Sequence, residues 1–153
     1  MITCNIREVD QAAFTESAKA FIKLMAGFKP SKDGAFAKKA EQAANIADEY
    51  LTAGRKFVAH AVKGDDIYGL VGLMILSTHE GYLKVEDICT HPLSSGAGVL
   101  MIEHAVKVSK QSGKGGTLRL FDASGGSFYD DLGFTVVDGM TKELSGGIKY
   151  RAT

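Results

Sequence analysis

Between Lys56 and Thr90 three apolar runs follow one another closely, and their spacing constrains the fold more than any other feature. "KFVAHAV" and "YGLVGLMIL" are separated only by "KGDDI", and "STHEG" divides the second run from "YLKVEDICT". Links this short join antiparallel strands, because a parallel crossover needs a dozen or more residues. A three-stranded meander is therefore expected. The chain then changes character. A turn containing Pro92 and the run Ser94, Ser95, Gly96, Ala97, Gly98 leads into a helical pattern to Gln111, and "TLRLF" follows as a strand. A strand-helix-strand unit in one sheet is right-handed and sets its two strands parallel. The expected class is α/β (α+β), a mixed and mostly antiparallel sheet with a parallel pair at its centre and helices on both faces.

The flanking segments fit that plan. Ile2 to Val9 reads as a first strand, and Phe14, Ala18, Phe21 and Met25 recur at helical spacing from Ala12 onward. "GFKPSKDG" is a break rich in turn formers, and Phe36, Ala40, Ala43, Ala47 and Leu51 form the apolar face of a second helix. The helix from Gly98 is expected to bury Val99, Ile102, Val106 and Ser109. "SFYDDL" reads as a short helix capped by Gly133, and "FTVVDG" and "KELSGGIKY" as two closing strands. The order is β-α-α-β-β-β-α-β-α-β-β, and 153 residues without a repeat or linker suit one domain, 1–153.

Eighteen basic residues balance eighteen acidic ones, so no net charge draws the chain toward nucleic acid or anionic membrane, although a local basic patch stays open. No apolar run is long enough for a bilayer, and "MITCNIREVD" lacks the basic-then-apolar pattern of a secretory signal. Cys4 and Cys89 have no metal spacing and read as buried free thiols of a reducing compartment, which makes a cytoplasmic protein the default. The four histidines share no metal spacing either, and no metal site is expected. His79 and His91 are placed on turns, where they would line a substrate side, and His104 on a solvent-facing helix surface.

The glycine turn supports two readings. A helix N-terminus leaves backbone N–H groups unpaired and carries partial positive charge, so it can hold a phosphate. Gly96, Ala97 and Gly98 would clear the approach, and Ser94 and Ser95 would add hydroxyl donors. Alternatively this is a plain tight turn with a serine N-cap. A third glycine at dinucleotide-fingerprint spacing is missing, and "SGKGGT" has neither the spacing nor the following helix of a P-loop.

The element order and "EDICTHPLSSGAGVLMIEHA" resemble the GNAT superfamily of acyl-CoA-dependent N-acetyltransferases. The family signature Gln/Arg-x-x-Gly-x-Gly/Ala falls on Leu93, Ser94, Ser95, Gly96, Ala97 and Gly98. A second stretch, "FDASGGSFYDDLGF", is similar to the family's Asn-x-x-Ala-x-x-Phe-Tyr-x-x-x-Gly-Phe, with Asp122 in the Asn place and Gly125 in the Ala place. Leu93 stands where the family carries a basic or amide residue, and the loop before Gly96 is short for the family. One charge-assisted bond to a pyrophosphate would be lost, worth about 1.5–3 kcal/mol.

The resemblance implies that Val85 to Thr90 and Thr117 to Phe121 splay apart around the pantetheine of acetyl-CoA. Backbone groups at Ile88, Cys89 and Thr90 would pair with it and polarise the thioester, and Asp122 would lie beside it. An amine acceptor would attack directly, with Tyr129 as the acid for the leaving thiolate and Glu86, ahead of Asp87, as the base. Strand alternation puts Glu86 with Ile88 and Thr90, unless a bulge reverses the parity. Tyr129 as a packed aromatic and Glu86 as a solvated edge carboxylate are the structural alternatives. The implied function is acetyl transfer to an amine of a small molecule, peptide or protein. The alternatives are a CoA-binding module with little catalysis and a toxin acetylating aminoacyl-tRNA. Pairing of two copies is common in the family, and nothing in the sequence decides it here.

Overall fold

The structure is a computed structural model that describes residues 3–26, 54–63, 66–91, 96–122 and 126–149. Its elements are β1 (Thr3–Val9), α1 (Gln11–Ala26), β2 (Arg55–Lys63), β3 (Asp66–His79), β4 (Tyr82–Thr90), α2 (Ala97–Gln111), β5 (Leu118–Phe121), α3 (Phe128–Asp131), β6 (Thr135–Asp138) and β7 (Thr141–Leu144). The strands are hydrogen-bonded in the order β1-β2-β3-β4-β5-β7-β6. The break expected at 27–34, the helix expected at 36–51 and the side chain of Met25 lie outside the described residues. No helix among the described residues is long and apolar enough to cross a membrane.

The chain divides into two compact units, Met1–Ile75 with Asp87–Met101, and Leu76–Glu86 with Ile102–Thr153. In the first, β1 pairs antiparallel with β2 from Thr3–Val62 to Val9–Lys56. α1 begins one residue before the expected Ala12, because the Asp10 carboxylate accepts the Ala13 N–H at 2.8 Å and caps the helix. Its Phe14, Ala18 and Phe21 recur at intervals of four and three residues, so they share a face. All three are fully buried against Val58, Leu73, Ile75 and Cys89. Each buried Phe contributes about 1.5–3 kcal/mol. Gly72, between Val71 and Leu73, has no side chain because Met101 of α2 occupies the space.

In the second unit, β4 and β5 pair in parallel from Leu83–Leu118 to Val85–Leu120. β7 inserts between β5 and β6, antiparallel to both. Here α2 buries Ile102, Ala105, Val106, Val108 and Ser109, while its Met101 is buried in the first unit. The stripe is therefore wider than the sequence pattern indicated, while Val99 is only half-buried. Ser109 is tolerated there because its hydroxyl donates to the Thr117 carbonyl at 2.9 Å.

Three boundaries differ from expectation. β2 and β3 are separated by two residues rather than five, and so run antiparallel. β3 continues to His79, so Ser77, Thr78 and His79 are strand residues and only Glu80 and Gly81 form the turn. β7 stops at Leu144 because its partners stop there: Leu144 faces Leu118, the first residue of β5.

Gly72→Ala tests the packing of β3. The new Cβ would lie 2.5 Å from Met101 Sδ and 3.2 Å from the Cys89 carbonyl oxygen. Urea unfolding is expected to show a loss of about 1–3 kcal/mol.

Candidate active site

One extra residue in β4 organises this region. The turn at Glu80–Gly81 places His79 opposite Tyr82, and the two rings stack at 5.0 Å with planes 10° apart. Gly81 makes so tight a link possible, with φ at +85°. That register would set Val71 opposite Thr90. Instead the His91 N–H donates to the Val71 carbonyl at 2.8 Å, one residue further along. β4 therefore contains a bulge. Side chains report the same shift: Glu86 bonds to Ser77, while Cys89 joins Leu73 and Ile75, which share a face of β3 with Ser77. Glu86 and Cys89 thus point the same way although three residues apart. Ile88 and Thr90, alternating with Cys89, take the opposite face from Glu86, as a bulge requires.

Glu86 is anchored on both oxygens. Ser77 Oγ donates to Oε1 at 2.6 Å, and Lys84 Nζ lies 3.6 Å from Oε2. His79 Nε2 is 2.8 Å from Ser77 Oγ and 4.0 Å from Glu86 Oε1. The carboxylate is 36% exposed, so it can meet a substrate as well as its neighbours. Sequence reasoning named Glu86 and His79 separately and missed Ser77. The available signal was the i, i+2 spacing of Ser77 and His79 on one strand, facing Glu86 across a tight turn.

At the glycine turn, Leu93, Ser94 and Ser95 lie outside the described residues, as does Pro92. Gly96 has φ +88°, a conformation open to glycine, and is exposed at the start of α2. The Gly96 carbonyl accepts the Leu100 N–H at 3.2 Å, which leaves the N–H groups of Ala97, Gly98 and Val99 at the head of a fifteen-residue helix. No acidic residue stands in the first turn to repel an anion. His91, just before this turn, is 9% exposed, and burial holds its imidazole below the usual range.

Tyr129 lies in α3, a single turn with no side-chain cap bond, and is itself half-buried. Its ring meets Phe128 and Phe134 edge-on at 5.1 and 5.5 Å. Burial, with a further contribution from the Asp122 charge, pushes the phenol up to about 12. Asp122 follows β5, and its side chain is 1% exposed. Lys142 of β7 donates to Asp122 at 2.7 Å and lies 2.8 Å from Asp130, the neighbour of Tyr129. Asp122 therefore faces a lysine inside the protein rather than an open surface, and Lys142 ties α3 to the β5–β7 pair. Removing that cation in Lys142→Met should lower the midpoint of urea unfolding, and adding Asp122→Asn should restore most of the loss. In a spectrophotometric titration one tyrosine should ionise near 12, and Tyr129→Phe should abolish that step.

No family model matches the sequence, and no curated protein matches it. Solved structures do resemble the fold. The PaiA N-acetyltransferase of Thermoplasma acidophilum, in complex with coenzyme A, aligns over 94% of this chain and 99% of its own at 19% identity, with a TM-score of 0.54. A GNAT family acetyltransferase of Brucella melitensis, in complex with acetyl-CoA, aligns over 97% and 92% at 17% identity and TM-score 0.51. A Bacillus subtilis acetyltransferase in complex with CoA covers 90% of this chain and 79% of its own at 21% identity and TM-score 0.51. With its seven-stranded mixed sheet and the parallel β4–β5 pair, the chain shares the fold of these GNAT acetyltransferases.

Proposed function

We propose that the protein transfers an acetyl group from acetyl-CoA to an amine by direct attack. One observation carries this reading: parallel pairing between β4 and β5 ends at Val85–Leu120, yet β4 continues through a bulge to Thr90 and leads to the glycine turn of α2. Backbone groups of Ile88, Cys89 and Thr90 are the candidates to pair with an extended pantetheine and to polarise its thioester carbonyl. The first N–H groups of α2, from Ala97 to Val99, are the candidate pyrophosphate donors; Leu93, Ser94 and Ser95 are candidates from the sequence resemblance alone. The fold neighbours crystallised with coenzyme A or acetyl-CoA support the same cosubstrate.

Glu86 receives the proton that the amine must lose. Its half-exposed carboxylate has its geometry fixed by Ser77. The phenol of Tyr129 serves the leaving sulfur. At about 12 it is a weaker acid than a thiol near 8.5, so it stabilises the thiolate as a hydrogen-bond donor and keeps its proton. Asp122, paired with Lys142, preserves the protonated state of Tyr129 and acts on the sulfur only through it.

The test is a calorimetric titration with acetyl-CoA, followed by an amine panel with free-thiol readout. Saturable binding and amine-dependent thiol release are expected. Glu86→Gln should lower kcat by about 10²-fold or more, and Tyr129→Phe should lower kcat while acetyl-CoA affinity holds. Binding without turnover on any amine would favour a CoA-binding module, the reading that Leu93 motivates. An absence of binding at millimolar acetyl-CoA would overturn the proposal.

A further inference from the structure

A base that takes one proton per turnover must lose it again before the next amine arrives. Glu86 lies at one end of a short chain of polar atoms on the β3–β4 pair. The Ser77 hydroxyl has a single proton, and its 2.6 Å bond to Glu86 Oε1 is short enough to be charge-assisted. The same oxygen is 2.8 Å from His79 Nε2. His79 is 40% exposed, so the far end of the chain opens to water. We propose that Ser77 and His79 relay the acceptor's proton from Glu86 to solvent. The inference rests on the reading of Glu86 as the base.

The transfer balances without a further reactant. Glu86 takes a proton from the substrate ammonium. Once protonated, Glu86 becomes the donor to Ser77 Oγ, and the Ser77 hydroxyl turns to His79 Nε2, which accepts in the Nδ1–H tautomer. Glu86 passes its proton to Oγ as the hydroxyl's own proton moves to Nε2. Glu86 is again a carboxylate and Ser77 again a hydroxyl; the imidazolium gives one proton to water, and exchange with water returns the ring to the Nδ1–H tautomer. A nucleophilic triad is a different arrangement, in which the carboxylate would orient the imidazole and the imidazole would deprotonate the serine. Here the carboxylate accepts from the serine itself, so Ser77 is a conduit and not a nucleophile.

The surroundings hold the chain in place and bear on its charge. Tyr82 stacks on His79 and fixes the ring plane. The Arg119 guanidinium lies 4.4 Å from the Tyr82 centroid and is held by Glu143 through a 2.6 Å bond. Lys84 stands on the opposite oxygen of Glu86 from Ser77. Among the described residues, these contacts bring Lys84, Tyr82, Arg119 and Glu143 to the relay beside Glu86.

The decisive experiment compares Ser77→Ala, Ser77→Thr, His79→Gln and Glu86→Gln on a panel of spermidine, free lysine and a peptide with a free α-amino group. Ser77→Ala and His79→Gln should each lower kcat by about tenfold or more with the KM for acetyl-CoA unchanged. Ser77→Thr should restore the rate, and imidazole buffer should rescue His79→Gln. If Ser77→Ala and His79→Gln keep the wild-type kcat while Glu86→Gln loses it, the relay is overturned and the base reading stands. If Glu86→Gln keeps full activity, the base reading fails and the relay with it. Imidazole NMR decides without any acceptor. The His79 nitrogen signals should move in both Ser77→Ala and Glu86→Gln, and unchanged signals would overturn the relay.

Discussion

The register of the β3–β4 hairpin governs the rest of the site. It is set at one end by a two-residue turn that needs Gly81 in a left-handed conformation. Before the bulge, that register faces His79 with Tyr82 and brings Ser77 to Glu86. After it, Cys89 turns toward Leu73, Ile75 and the buried face of α1. A single inserted residue thus lets one strand supply a polar cluster along its first half and a core residue near its end. A one-residue slip anywhere in this hairpin would exchange the two sets of side chains.

Much of this was legible in the sequence. Short links between apolar runs fixed the meander, because chain length alone forbids a crossover there. The parallel pair followed from a helix between two strands. What escaped reading has physical causes. "STHEG" is rich in turn formers, but Ser77 and His79 are held in strand by hydrogen bonds to a partner strand that local propensity does not register. The bulge has no composition of its own in "VEDICT", since it is a difference in count between two strands. The insertion of β7 between β5 and β6 is a matter of pairing order, which the pattern of a single strand does not carry. Asp122 was legible as a position but not as an environment, because its cation comes from Lys142, twenty residues away.

The two carboxylates singled out by the sequence have opposite surroundings, and this separates their work. Glu86 is 36% exposed, bonded to a hydroxyl and open to exchange, which suits the proton-accepting role proposed for it. Asp122 is 1% exposed and faces a nearly buried ammonium, which suits a fixed charge. The fixed charge acts on its neighbourhood through its field. It helps to hold the Tyr129 phenol neutral, while Lys142 reaches past it to the helix that carries the ring.

The pairing of Asp122 with Lys142 also limits how this chain can diverge. Losing Lys142 alone takes this cation from a carboxylate that is 1% exposed, whereas losing Asp122 alone still leaves Lys142 beside Asp130. Drift is therefore easier in one order than in the other: the aspartate can be replaced first and the lysine afterwards. The couple works as a one-way ratchet, in which the carboxylate has to leave before its cation does.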